Sequence, residues 1–140
     1  MSAYHEYEVS FTDRDALIKA LALMKNSAGI QFKESQIESH DAPVALIDYV
    51  GKTRPQRADI VIRRAAVGQA ANDLGFEKTA TGYRAHISEF DRHHYNESWT
   101  DKLKQNYSEI VVGKQAAKLG YNVSKTVKDG KTVMKLTAWR

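Results

Sequence analysis

Apolar and polar residues alternate at the start of the chain, with Tyr7, Val9 and Phe11 set between Glu6, Glu8 and Ser10. A period of two predicts a strand with one buried face. The period then lengthens. Leu17, Ala20, Leu21 and Met24 recur at helical spacing behind Thr12-Asp13-Arg14-Asp15, which offers a cap and an acid for the first turn. Asn26 to Gly29 is the expected stop. A weak strand is expected over 30–37, broken at Asp41-Ala42-Pro43, and a stronger one over 44–50, ended by Gly51. Residues 52–57 read as a basic loop carrying Arg54, Pro55 and Arg57, and 58–62 read as strand again. Residues 65–72 fit a loop or a short helical turn equally.

In the second half, 74–78 and 83–90 flank Thr79-Ala80-Thr81-Gly82, a hairpin pattern. A polar loop over 91–97 follows. Ser98-Trp99-Thr100-Asp101 resembles a capping box that ends in Asp. Trp99, Leu103, Tyr107, Ile110 and Ala117 then mark a long amphipathic helix up to Gly120, with Trp99 expected in the core. Two strand-like runs joined by Asp129-Gly130 close the chain, the signature of a type I′ hairpin. A two-residue turn sets 127 against 132, 125 against 134, 123 against 136 and 121 against 138. One face then carries Tyr121, Val123, Lys125, Val127, Met134, Leu136 and Ala138, and is expected to be core. The other carries Ser124, Thr126, Lys128, Lys131, Lys135, Thr137 and Trp139, a basic face with one indole. The whole pattern predicts a single α+β domain over 1–140. Its expected architecture is one mostly antiparallel sheet with two helices packed on one face, ending in the β-hairpin.

Composition narrows the chemistry. A chain of 140 residues suits one domain. It has no cysteine, which removes disulfides, thiolate nucleophiles and cysteine-held metals. The first residues show no cationic start followed by an apolar run, so a secretory signal is not expected and the cytoplasm is the default compartment. No apolar run approaches the roughly 20 residues a membrane helix needs, so no membrane partner is expected. The formal charge of +4 is unevenly placed. Residues 1–100 hold 12 Lys and Arg against 14 Asp and Glu, a net −2, whereas residues 101–140 hold 9 against 3, a net +6. Such an asymmetry marks a surface for an acidic partner, or simply a solvated lysine-rich face.

Asp73-Leu74-Gly75-Phe76-Glu77-Lys78, a short turn, and Gly82-Tyr83 ahead of a β-run resemble the "D-I-G-F-x-K … Y-x-L" segment of one family. The helix with Gln105-Asn106-Tyr107, its exit at Lys118-Leu119-Gly120-Tyr121, and the ending Ala138-Trp139-Arg140 fit the same pattern, as does Thr12-Asp13-Arg14 with its Leu-rich helix. The chain is similar to the hypothetical chloroplast open reading frame 35 family, a domain of unknown function in plastids, cyanobacteria, other bacteria and phages. The resemblance covers roughly 4–25 and 58–140. It departs at Glu89-Phe90-Asp91-Arg92-His93-His94-Tyr95, where the family tends to carry a tryptophan-containing acidic segment. The resemblance implies a single α+β domain and no particular catalytic residue.

Candidate chemistry is sparse. His86, Glu89, Asp91, His93 and His94 are the densest group of metal-type ligands, with Glu89 pointing away from His86 on a strand and His86, Asp91, His93 and His94 left as the candidates, but no metal-binding spacing links them. No phosphate-cradling glycine loop and no nucleophile elbow is present. Arg54, Arg57, Arg63 and Arg64 form a secondary basic group in which Arg63 and Arg64, adjacent on a strand, would face opposite sides and leave at least one unengaged. The expected working surface is the outer hairpin face with the adjoining helix edge: Lys114, Lys118, Lys128, Lys131, Lys135, Trp139 and Arg140. The reading is a small non-enzymatic accessory or regulatory protein that binds a macromolecule, with a protein as partner and no cofactor. The alternative is a single-stranded nucleic-acid binder using the same face. The third is a metal-dependent enzyme centred on the His86–His94 region. Exposed edge strands would also allow a homodimer by sheet extension.

Overall fold

The computed structural model describes residues 3–9 and 11–138. Strand β1 (Tyr4–Val9) leads to helix α1 (Arg14–Ala22). Strands β2 (Ile37–Ile47) and β3 (Thr53–Ile62), a four-residue helix α2 (Arg64–Val67), and strands β4 (Leu74–Lys78) and β5 (Tyr83–Ser88) follow. Helix α3 (Glu97–Lys118) and the hairpin β6 (Tyr121–Lys128) and β7 (Lys131–Ala138) complete the chain. No helix among these is long and apolar enough to cross a membrane.

The architecture is α+β with antiparallel sheets, as the pattern predicts, but the strands do not form one sheet. Five are ordered β1-β5-β4-β3-β2, and β6 pairs only with β7 in a second, two-stranded sheet. The cause lies at the end of α3. Gly120 adopts φ +81° and reverses the chain, so β6 runs back along the helix. Gln105 Nε2 donates to Thr132 Oγ1 at 2.6 Å and Lys125 Nζ to Glu109 Oε2 at 3.1 Å, which ties the hairpin to α3. The helix therefore stands between the hairpin and the five-stranded sheet.

Both long helices pack on one face of the large sheet. Leu17 and Leu21 of α1 and Trp99, Leu103 and Tyr107 of α3 are buried with Ile60, Ile62, Leu74, Phe76, Ala85 and Ile87. Each of the larger aliphatic and phenyl side chains contributes about 1.5–3 kcal/mol by leaving water. Asp13 caps α1, its Oδ1 accepting the Ala16 N–H at 3.0 Å. Asn96 caps α3, accepting the Trp99 N–H at 3.0 Å, so the cap falls two residues before the expected Ser98. The two helices meet where Tyr107 stacks on Phe11 at 4.0 Å and its hydroxyl accepts the Thr12 and Asp13 N–H groups, each at 3.0 Å.

The opposite face carries a second, smaller apolar cluster. Leu46, Ala58 and Val61 form it, with Tyr4 and Val44 at its border. They fit because position 75 is glycine: a Cβ there would lie 2.6 Å from the Ala58 Cβ and 3.0 Å from a Leu46 methyl.

The prolines do not break the strands as expected. β2 is an edge strand whose register with β3 shifts between Ser39 and Val44 and again between Ala45 and Ile47. Pro43 sits in the first irregularity. Pro55 lies across from the second, on a stretch of β3 that β4 does not pair. At an edge or bulge a missing N–H costs no ladder bond. Residues 53–57 are thus strand, not loop. The strand expected over 30–37 is reduced to a Lys25–Gln31 bridge and a 3-10 turn at Glu34–Gln36, because Ile30 and Phe32 turn into the main core. The undecided 65–72 stretch begins within α2, which ends at Val67.

Candidate binding surfaces

The register of the C-terminal hairpin is the one its turn chemistry predicts. Val127 faces Thr132, Lys125 faces Met134, Val123 faces Leu136 and Tyr121 faces Ala138. Asp129 at φ 54° and Gly130 at φ 74° make the type I′ turn. The apolar face is turned toward α3 but is only half covered. Val123, Thr132 and Met134 are partly buried, whereas Val127 remains 72% exposed and Tyr121 is also exposed. The expectation that this face is core is therefore corrected: one helix is too narrow to cover eight-residue strands. Leu119, Val112 and Val133 add further exposed apolar surface.

The lysines of the outer face sit together. Lys128 is directly opposite Lys131, and Lys135 is opposite Ser124 on the same side. Lys118, Lys128, Lys131 and Lys135 are exposed and meet no carboxylate among the described residues. Lys114 differs from the expectation. Its Nζ lies 2.6 Å from Asp13 Oδ2, which engages it with the start of α1. That bond holds the Asp13 carboxyl below the usual carboxylate range and raises Lys114. Trp139 and Arg140, also expected on this surface, lie outside the described residues.

The secondary arginine group is not a surface patch. Arg63 donates to Asp73 Oδ2 at 2.8 Å and to Glu38 Oε2 at 3.0 Å. Arg64 opens α2 instead of extending a strand, and its guanidinium donates to the Asp48 carbonyl at 2.9 Å. Arg54 pairs with the buried Asp48 at 3.5 Å and lies over the Tyr4 ring. Neither Arg63 nor Arg64 is unengaged, which corrects the strand-based expectation. Arg57 alone of the four is exposed.

The structure also disperses the histidine group. His86 is buried on the sheet face away from the helices, with Nε2 2.9 Å from Glu77 Oε1. Asp91 is buried elsewhere, where it accepts the Ser88 hydroxyl at 2.7 Å and the Asn72 N–H at 3.0 Å. His94 Nδ1 shares a 2.7 Å hydrogen bond with Ser27. Among the described residues no group of three or more His, Cys, Asp or Glu could hold a metal ion. What His93, His94 and Asp91 do share is a cleft of about 720 Å³. Its walls include Ile30, Val67, Ala71 and Tyr95, with Phe90 exposed on the rim. Sequence reading missed this cleft because its walls come from three segments, each too short to show a pattern.

A family model described as "Protein of unknown function (DUF1257)" matches residues 22–137. The chain belongs to this family. No curated protein and no solved structure matches it. The DUF1257 match takes in 26–57, the stretch that showed no resemblance by motif. The segment Asp73-Leu74-Gly75-Phe76 proves structural. Asp73 accepts the Ile47 N–H at 2.8 Å, the Arg64 N–H at 2.7 Å and Arg63. Leu74 and Phe76 enter the core, and Gly75 admits Leu46 and Ala58. In this DUF1257 chain the most motif-like residues therefore hold β2, β3 and β4 together.

Proposed function

We propose that this DUF1257 chain is a non-enzymatic accessory protein that binds an acidic protein surface through the arm formed by the end of α3 and the β6–β7 hairpin. The observation that carries this reading is the arm's construction. A two-stranded sheet is marginal alone, and this one leans on a single helix while leaving apolar side chains and four lysines exposed. Exposed apolar area gives affinity, and the surrounding lysines give steering and selectivity for an acidic partner. Lysine, unlike arginine, does not form the bidentate contacts that read bases, so a protein fits this chemistry better than a nucleic acid. The resemblance to the hypothetical chloroplast open reading frame 35 family belongs to the same reading and brings no catalytic residue with it.

The test uses wild-type protein and a Lys128→Glu, Lys131→Glu, Lys135→Glu variant as baits in extracts of the native host, with and without nuclease treatment. All three positions are exposed, so the variant should keep the wild-type circular dichroism spectrum and melting point. The expected result is an acidic protein retained by the wild type, released by salt and bound at least tenfold more weakly by the variant when the purified pair is titrated. Equal binding by both baits would overturn the proposal. Retention that disappears with nuclease would transfer the surface to nucleic acid.

A further inference from the structure

Four aspartates are buried in this chain: Asp48, Asp59, Asp73 and Asp91. Three of them face an arginine. Arg54 lies 3.5 Å from Asp48, Arg14 lies 3.9 Å from Asp59, and Arg63 lies 2.8 Å from Asp73. Asp91 is only 5% exposed, yet no Lys, Arg or His lies within ion-pair distance of it among the described residues. A carboxylate taken out of water is ordinarily paired with a cation.

The bonding of Asp91 is also one-sided. The Asn72 N–H at 3.0 Å, the Asn72 side-chain amide at 3.3 Å and the Ser88 hydroxyl at 2.7 Å all donate to Oδ2, and all three are uncharged. Oδ1 accepts no hydrogen bond among the described residues, and it is not sealed from water. Asp91 lines the cleft of about 720 Å³, a volume typical of small-molecule sites. The walls around it are mainly apolar, with Ile30, Val67, Ala71 and Tyr95 among them, and no lysine or arginine lines the space.

We propose that the cleft binds a small organic cation. Its ammonium group would donate to Asp91 Oδ1 and supply the counter-charge that Asp48, Asp59 and Asp73 receive from arginines. Its apolar or aromatic body would lie against Ile30, Val67 and Tyr95. This site is separate from the hairpin arm, and neither proposal depends on the other.

Three probes of one shape and different charge test it: 1-naphthylmethylamine, a cation; 1-naphthalenemethanol, uncharged; and 1-naphthoate, an anion. Each is titrated into the full chain at about pH 8, above the ordinary histidine range, and followed by amide nuclear magnetic resonance. The expected result is one saturable site for the amine, with shifts concentrated at residues 67–71 and 90–95. The alcohol should bind at least tenfold more weakly there, and the naphthoate more weakly still. The chain's net charge of +4 would favour the naphthoate, so this order cannot come from overall charge. Asp91→Asn should bring the amine down to the affinity of the alcohol. Should that variant fail to fold, the ranking and the map of shifts in the wild type decide the matter alone. The proposal is overturned by an amine that does not saturate, by shifts centred elsewhere, by an alcohol or naphthoate that binds as tightly as the amine, or by a folded Asp91→Asn protein that keeps the preference.

Discussion

Replacing Gly75 with alanine should cost this fold more than a surface methyl ever could. The added Cβ would lie 2.6 Å from the Ala58 Cβ, which has no rotamer to change, and 3.0 and 3.2 Å from the two Leu46 methyls. Ala58 and Leu46 are both fully buried, so the neighbours can give way only by backbone movement of β3 away from β4. Overpacking of this kind costs about 1–3 kcal/mol. Taking about 2 kcal/mol, and about 3–4 °C per kcal/mol for a chain of this length, the melting point should fall by about 6–8 °C. Thermal unfolding followed by circular dichroism measures this directly. The Ala58→Gly, Gly75→Ala double variant isolates the cause. Ala58→Gly alone should cost about 1 kcal/mol or more through its backbone entropy and lost methyl, but it removes the closest obstacle. The double variant should therefore be more stable than the sum of the two single losses by over about 1 kcal/mol. Additivity within about 0.5 kcal/mol, or a Gly75→Ala protein that melts with the wild type, would refute the close-approach account.

Two further expectations concern the junction of α1 and α3. Tyr107→Phe keeps the stack on Phe11 but removes the acceptor of two backbone N–H groups; it should lower stability by about 1–2 kcal/mol in urea titrations and speed amide exchange at Thr12 and Asp13. Asp13 is held below the usual carboxylate range by its bond to Lys114, so the pair's contribution is present above about pH 4 and is lost as pH falls through the lowered value. Lys114→Gln should therefore lose less stability than the wild type between pH 7 and pH 3, and equal losses in both would show that the bond does not contribute.

The sequence was most legible where local chemistry decides the outcome. The register of β6 and β7 follows from Asp129-Gly130, and the β4–β5 pairing follows from the polar turn between two alternating runs. Both long helices fall where their apolar stripes place them. Long-range decisions were hidden. Nothing in the alternation of Tyr121, Val123 and Val127 says that α3 would stand between that hairpin and the main sheet. Pro43 and Pro55 read as breaks because the edge and bulge positions that tolerate them exist only after β2 and β3 pair. Arg63 and Arg64 read as surface charge because Asp73 lies ten residues away along the chain from Arg63 and close to it only in space. The lysine face was visible from composition, whereas the cleft at Asp91 was not, since its walls are assembled by the fold.

The sheet order also imposes a timetable on the chain. β2, β3, β4 and β5 are neighbours in sequence and in space, so each can pair as soon as the next is made. β1 is the exception: Val9 pairs with Tyr83 and Tyr4 with Ser88, so a ribosome releases β1 more than seventy residues before its partner. Closing that span carries the largest loop-closure entropy in the sheet, which makes β1 docking the late step of folding. Until then both sides of β1 are unpaired, and Glu6 is a charge that discourages it from pairing with a neighbouring nascent chain.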